Sequence, residues 1–392
     1  MYLIFSPLLN VLYFIRIAGF SIIEIVLGIY LFFGIGLLFL KKGARIRVGR
    51  LSGVFGLFLF FLVIGLVVGQ GDLKSYMEVI LKMGLGWLSY LLLLNLGNPF
   101  TAGNNLQKST ILGLFIVVGL VLVENVAGVG VNYSKYSYQV GFFADEGSLS
   151  RFGIVGIIFS IPFLLNKGVG RRLALFVFCC SILFLFIAIS RNAILAALVA
   201  MLFLFSRGSN LVRLGLVGAV ALLILGLDAL GLTAGFKNKV TREVTFLQDN
   251  NSVNRRTLGS GRVARWEDAI KEFSEGELIN KFFGFGHGIG PHGQVFDLLM
   301  RGGISCVVLG YLLYFRAFFV IRRTRKDSSA VYMKTLALWL AILVLSFGAT
   351  PFYNYYLNVI LFASIGIMER RYLLSRMSVR QRHYSKPVSA TA

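Results

Sequence analysis

Arginine and histidine side chains gather in one polar stretch, residues 259–303, of an otherwise apolar chain. It opens Gly259-Ser260-Gly261-Arg262-Val263-Ala264-Arg265-Trp266 and later runs Gly284-Phe285-Gly286-His287-Gly288-Ile289-Gly290-Pro291-His292. Guanidinium groups bind oxyanions through several directed N–H donors at once. An imidazole, with an unperturbed pKa of about 6.5, can take a proton from a hydroxyl at neutral pH. Residues 262–273 read as an amphipathic helix with Val263, Trp266, Ala269, Ile270 and Phe273 on one face. Such a helix lies along a bilayer surface with its indole at headgroup depth. Arg262 and Arg265 fall in its first turn, where backbone N–H groups lack partners, and together these would form an anion site. The competing assignment packs Arg262 on Trp266 one turn later and pairs Arg265 with Asp268 at i+3.

His292 follows Gly290-Pro291, where polar sequence gives way to an apolar run, so its ring is expected at the membrane rim. There it serves either as a proton acceptor or as an interfacial cap bonded to a loop carbonyl. His287, between two glycines, competes with it. Asp297 and Arg301 stand four residues apart, a spacing that favours a helical ion pair, as do Glu78 and Lys82. The glycines at 284, 286, 288 and 290 follow no strand, so they are not a nucleotide-binding loop. They are expected to let the chain turn tightly into the next helix. His287, His292 and His383 have no clustered carboxylates, so no metal centre and no cofactor are expected.

The elements that must position these residues are membrane spans. Of 392 residues 57% are hydrophobic and 14% charged, with a mean hydropathy of +0.79; soluble chains carry roughly 25% charged residues. Apolar runs recur at 20–40, 51–69, 76–96, 109–127, 150–166, 173–189, 192–206, 211–230, 295–320, 331–349 and 355–368. Each approaches the roughly 20 residues needed to cross a hydrocarbon core. Residues 2–17 add a short span or an interfacial helix. The fold expected is therefore all-α: a polytopic membrane protein of 11–12 transmembrane helices with one large outer loop. Cys179, Cys180 and Cys306 lie inside apolar runs and read as small core residues, not a disulfide framework.

The net charge of +22 is read topologically, which excludes a nucleic-acid binder. One set of connections carries Lys41, Lys42, Arg45, Arg47 and Arg50, then Lys108, Lys167, Arg171, Arg172, Arg207 and Arg322, Arg323, Arg325 and Lys326. The tail adds Arg370, Arg371, Arg376, Arg380, Arg382 and Lys386. The alternate short connections hold only Lys74, Lys135, Arg151 and Arg191. The first set is expected in the cytoplasm, which puts residues 231–293 outside. The organisation expected is a transmembrane bundle over 1–230, the large loop over 231–293, further spans over 294–368 and a basic cytoplasmic tail over 369–392. The outer loop also carries Arg255, Arg256, Lys271 and Lys281, which implies an anionic ligand at that face.

Gly261-Arg262-x-x-x-Trp266, then Gly284-x-Gly286, then His292-x-x-x-x-x-Leu298-x-x-x-Gly302-Gly303-Ile304, resembles the O-antigen polymerase and ligase superfamily. Ser190-Arg191-Asn192, between two apolar runs, is similar to a second motif of those enzymes. The resemblance covers the second half of the chain at motif level and the first half as a hydropathy profile. It implies a metal-independent, inverting glycosyltransferase of GT-C-like architecture in a bacterial inner membrane. Its donor and acceptor would be glycans on undecaprenyl diphosphate, with a chain-length regulator as a further partner. Arg262, Arg191 and His292 would be catalytic, the arginines on the diphosphate and the histidine as base. Arg265, Arg255, Arg256, Trp266, His287, Asp145 and Glu146 would contact substrate. Repeat-unit polymerisation is the activity expected; ligation of finished polysaccharide to lipid A core and transport of lipid-linked sugars are the alternatives.

Overall fold

Long runs of Leu, Phe, Ile and Val without alternation can satisfy their own backbone N–H and C=O groups in an apolar solvent only as helices. The computed structural model describes residues 16–17, 20–40, 46–96, 98–127, 146–165, 171–188, 190–206, 252–289, 293–327 and 329–384, with isolated helical positions between 218 and 245. Its helices are α1 (Ile22–Phe39), α2 (Ser52–Val68), α3 (Leu73–Asn95), α4 (Pro99–Ala127), α5 (Glu146–Leu165), α6 (Arg171–Ile187) and α7 (Arg191–Phe205). They continue as α8 (Ser252–Glu275), α9 (Leu278–Phe283), α10 (Gln294–Arg323), α11 (Ser329–Leu345) and α12 (Tyr355–Tyr384). Among the described residues the sole strand pairing is Arg16–Ile17 against Phe20–Ser21. The expected spans at 2–17 and 211–230 lie almost wholly outside the described residues.

α3, the Pro99–Val121 part of α4, and α10 are long and apolar enough to cross a membrane, and several shorter helices are apolar throughout. α10 shows what solvent this bundle meets. Ile304, Val308, Leu312, Phe315 and Phe319 recur at helical spacing and are exposed, while Cys306, Leu313, Tyr314, Ala317 and Ile321 are buried. An exposed apolar stripe of that length suits lipid and would be a liability in water.

Between helices, close approach replaces hydrophobic driving force, so small residues sit at the contacts. On α3 a Cβ at Gly86 would press within 3.1 Å of Phe362 on α12, and one at Gly366 within 2.6 Å of the Tyr90 carbonyl. The α5–α6 contact works likewise, with Gly153 against the Ser181 carbonyl at 2.8 Å. Buried polar groups are bonded across helices: Tyr314 donates to Asn358 Oδ1 at 2.6 Å, and Trp339 Nε1 donates to the Tyr314 carbonyl at 2.8 Å.

The two ends of the bundle differ. At the basic end Arg50 Nε lies 3.6 Å from Glu369, and Tyr90 donates to the same carboxylate at 2.5 Å. The Tyr372 ring there is flanked by Arg50, Arg323 and Arg376 at 5.3, 5.5 and 5.2 Å. The opposite end carries α8, α9 and the glycine-rich loop, and it is held by backbone packed on backbone. α10 loses helical geometry at Gly302 (φ −141°, ψ 17°) and Gly303 (φ 64°, ψ −166°). Beside that break the Met300 carbonyl accepts from Phe285 N at 2.7 Å. A Cβ at Gly284 would meet the Arg301 carbonyl, one at Gly286 the Gly69 carbonyl, and one at Gly65 the Phe283 and Arg301 carbonyls. Gly284 and Gly286 also take positive φ, +103° and +83°. The glycines expected to permit a turn therefore also let the loop seat on α2 and on the kink of α10.

Candidate functional site

α8 begins at Ser252, well before residue 262, and Gly261 at φ +78° interrupts its regular geometry just before Arg262. The helix thus starts ten residues before the expected 262–273, but it breaks at Gly261, so the regular turns that carry Arg262 and Arg265 begin just after that break. Arg262 points toward the turn between α11 and α12. A Cβ at Gly348 in that turn would lie 3.0 Å from Arg262 Nη1 and would overlap Asn192 Nδ2. The Ser190-Arg191-Asn192 turn and α8 therefore meet over one glycine. Ser190 precedes α7 in an extended conformation and accepts from Ile194 N at 3.0 Å. Arg191, half-buried, is the first residue of the helix.

Trp266, one turn on, stacks on Phe296 of α10 with centroids 5.4 Å apart and planes at 21°. Its Nε1 lies 2.9 Å from where a Gly293 Cβ would stand. The indole thus clamps α8 to the start of α10. The apolar face is also narrower than expected: Ala269 is buried, but Ile270 is 53% exposed. Arg265 is exposed and has no ion pair with Asp268 within 4 Å among the described residues.

His287 is exposed, with Nε2 3.3 Å from Glu272 on α8 and Nδ1 3.4 Å from the Phe285 carbonyl. It ties the glycine loop to α8. His292 lies outside the described residues, as do Asp145 and the side chains of Arg255, Arg256 and Glu146. Gly293, immediately after His292, is buried at the head of α10.

Asp297 and Arg301 pair at 2.9 Å, and on α3 Glu78 and Lys82 also form an ion pair. Arg301 Nη1 also donates to Ser75 at 2.8 Å, and its guanidinium lies over the Tyr76 and Tyr353 rings at 5.5 and 5.9 Å. A Cβ at Gly288 would strike both members of the ion pair, so the loop rests directly on it. Burial drives the Tyr353 phenol well above its usual value, and Asp297 adds to the shift. Tyr353 therefore stays protonated beside the pair.

The sequence did not flag Gln294. Its backbone N donates to the Ser346 carbonyl at 3.2 Å, and its Oε1 accepts from Phe352 N at 2.9 Å. The side chain is fully buried, and Nε2 has no partner among the described residues. It fastens the start of α10 to the same 346–353 turn that carries Gly348. A glutamine opening an apolar run was the available signal, because polar groups at membrane depth mark functional or structural junctions. Among the described residues no group of three His, Cys, Asp or Glu could hold a metal ion. The site is thus a donor-rich floor, made of the 346–353 turn, Asn192, Gln294 and Arg262, at the loop end of an apolar bundle.

No family model matches the chain, and no curated protein matches it.

Proposed function

We propose that this chain is a membrane glycosyltransferase that polymerises lipid-linked oligosaccharide repeat units at the outer face of a bacterial inner membrane. The reading takes its enzyme class from the resemblance to O-antigen polymerases and ligases. The observation that carries it is the approach of Arg262 and Asn192 to Gly348, which brings two motifs remote in sequence to one place. In the reaction a hydroxyl of the acceptor glycan attacks the anomeric carbon of the donor. The bond from that carbon to the undecaprenyl diphosphate oxygen breaks as the new glycosidic bond forms, with inversion. His292 accepts the hydroxyl proton. Arg262 and Arg191 neutralise the departing diphosphate, the role that oriented cations play for charge developing in a transition state. Arg265, Arg255 and Arg256 extend the positive field toward the carrier, and Trp266 fixes α8 in register with α10. Asp145 and Glu146 orient acceptor hydroxyls.

Purified protein in vesicles, supplied with lipid-linked repeat units and no energy source, tests the reading. Arg262→Ala and Arg191→Ala should each lower elongation by about 10²–10³-fold, and His292→Ala by about 10²–10⁴-fold. Wild-type chain-length distributions in all three variants would reject the assignment. In cells, deletion should leave single repeat units on lipid A core; complete loss of core-attached repeats would instead identify a ligase.

A further inference from the structure

A cavity of about 360 Å³ opens toward the basic end between α1, α3, α4 and α12, away from the loop-end floor. Its wall is apolar, with Leu85 and Leu88 of α3, Leu106 of α4 and Val359 of α12. Its rim is polar, with Asn98, Thr101 and Asn105 around the turn from α3 to α4. Along α3 the lining runs from Leu85 to Leu93, about 12 Å of helix at 1.5 Å per residue. The slot is thus mainly apolar, with Asn98, Thr101 and Asn105 toward the basic end and Ser89 and Ser109 also in its lining.

Cations are fixed on the turn from α3 to α4 that contributes that rim. Arg371 donates through Nε to the Pro99 carbonyl at 2.8 Å and through Nη2 to the Phe100 carbonyl at 2.9 Å. Arg370 Nη1 donates to the Leu96 carbonyl of the same turn. Arg47 is held nearby, its backbone N donating to Asn95 Oδ1 at 2.8 Å. Neither Arg370 nor Arg371 has a carboxylate within 4.0 Å among the described residues, and the nearby Glu369 is taken by Arg50. Burial lowers both guanidiniums from their ordinary value, with Arg47 adding to the effect on Arg370. The physical cause is loss of water around the charged form.

We propose that this cavity binds one acyl chain of an anionic glycerophospholipid, with the headgroup phosphate at Arg370 and Arg371. An apolar slot alone would accept any alkyl chain; the two guanidiniums, without a carboxylate partner among the described residues, select a lipid of net negative charge. Attraction of anionic lipid to basic residues at a membrane surface amounts to about fivefold in affinity per arginine. The site is independent of the reaction carried out at the loop end.

Native mass spectrometry of the full chain released from vesicles of equal phosphatidylglycerol and phosphatidylcholine tests the proposal. Wild type should retain phosphatidylglycerol in preference to phosphatidylcholine by tenfold or more. Arg370→Gln with Arg371→Gln should keep a bound lipid but lose the preference. Ala102→Trp, which fills the slot, should retain neither lipid. Equal retention of the two lipids by wild type, or an unchanged preference in the double arginine variant, would overturn the proposal. So would full phosphatidylglycerol retention in Ala102→Trp. Elongation of lipid-linked repeat units by the same variants reports separately on the loop end and should be retained.

Discussion

Replacing Gly303 by alanine probes how the loop end is held. Its φ of 64° and ψ of −166° lie in a region open essentially to glycine, and a residue bearing Cβ pays about 1–3 kcal/mol there. The new Cβ would also run into the carbonyl carbon and oxygen of Phe282 in α9, backbone atoms that cannot rotate aside. Relief requires α9 and the glycine loop to move away from α10. That movement breaks the bond from Phe285 N to the Met300 carbonyl, a further net loss of about 0.5–1.5 kcal/mol. Together the two effects come to about 2–4 kcal/mol, or roughly 30- to 1,000-fold in the balance between a docked and a released loop.

Hydrogen exchange across residues 278–289 in detergent micelles measures that balance directly. Gly310→Ala is the control on the same helix, since its Cβ would meet only side-chain atoms, Leu298 Cδ1 at 3.1 Å and Phe58 Cε2 at 3.3 Å, which can shift. Exchange in 278–289 should accelerate in Gly303→Ala and stay near wild type in Gly310→Ala. Wild-type protection in Gly303→Ala, or equal acceleration in both variants, would refute the reasoning.

Asp297→Asn strands the Arg301 guanidinium in a buried site and should cost about 3–5 kcal/mol, while Asp297→Leu with Arg301→Met should cost less; thermal unfolding in detergent with the double variant below the single one would contradict this. Gln294→Leu removes the acceptor for Phe352 N and should destabilise by about 1–3 kcal/mol. Gln294→Glu keeps that acceptor but places a carboxyl group in a fully buried site, where an unpaired charge is costly, so it too should melt below wild type; an unchanged melting temperature would contradict this. Tyr372 is held below its ordinary pKa, chiefly by the hydrogen bond from Arg323. The fold therefore favours the phenolate: the gain is complete above the unfolded pKa and vanishes as pH falls through the folded value. The melting-temperature gap between wild type and Tyr372→Phe should widen from neutral toward alkaline pH, and a flat gap would count against the arginine cage.

What was legible in the sequence was local. Apolar runs without alternation marked α2, α3 and α10, and the i,i+4 spacing of Asp297 with Arg301 and of Glu78 with Lys82 gave ion pairs that do form. Long-range partners were not legible. Trp266 carries the amphipathic pattern of a surface anchor, yet its ring is taken by Phe296, a neighbour that only the crossing of α8 over α10 supplies. The glycines from 284 to 288 read as turn formers, but their fit to Gly69 and to the α10 kink depends on which backbones lie beside them. Gln294 and Gly348 were missed for the same reason: each matters through the 346–353 turn, which has no distinctive pattern of its own.

The glycine seam also bears on how a loop can carry chemistry. A reacting constellation must be held to within about 0.5 Å, and loops ordinarily hold side chains less well than helices do. Here residues 282–286 are packed backbone against backbone on α2 and α10, where no side-chain rotamer intervenes to add slack. The Trp266–Phe296 stack fixes α8 to the same helix, and Gln294 fixes that helix to the turn beneath Arg262. The loop-end segment thereby acquires the stiffness of the bundle. A guanidinium on it can then stay aligned with groups on α7 and α10 that enter from separate parts of the chain. On this argument the demand for placement at the site, and not turn-making alone, accounts for the density of glycine at the loop end.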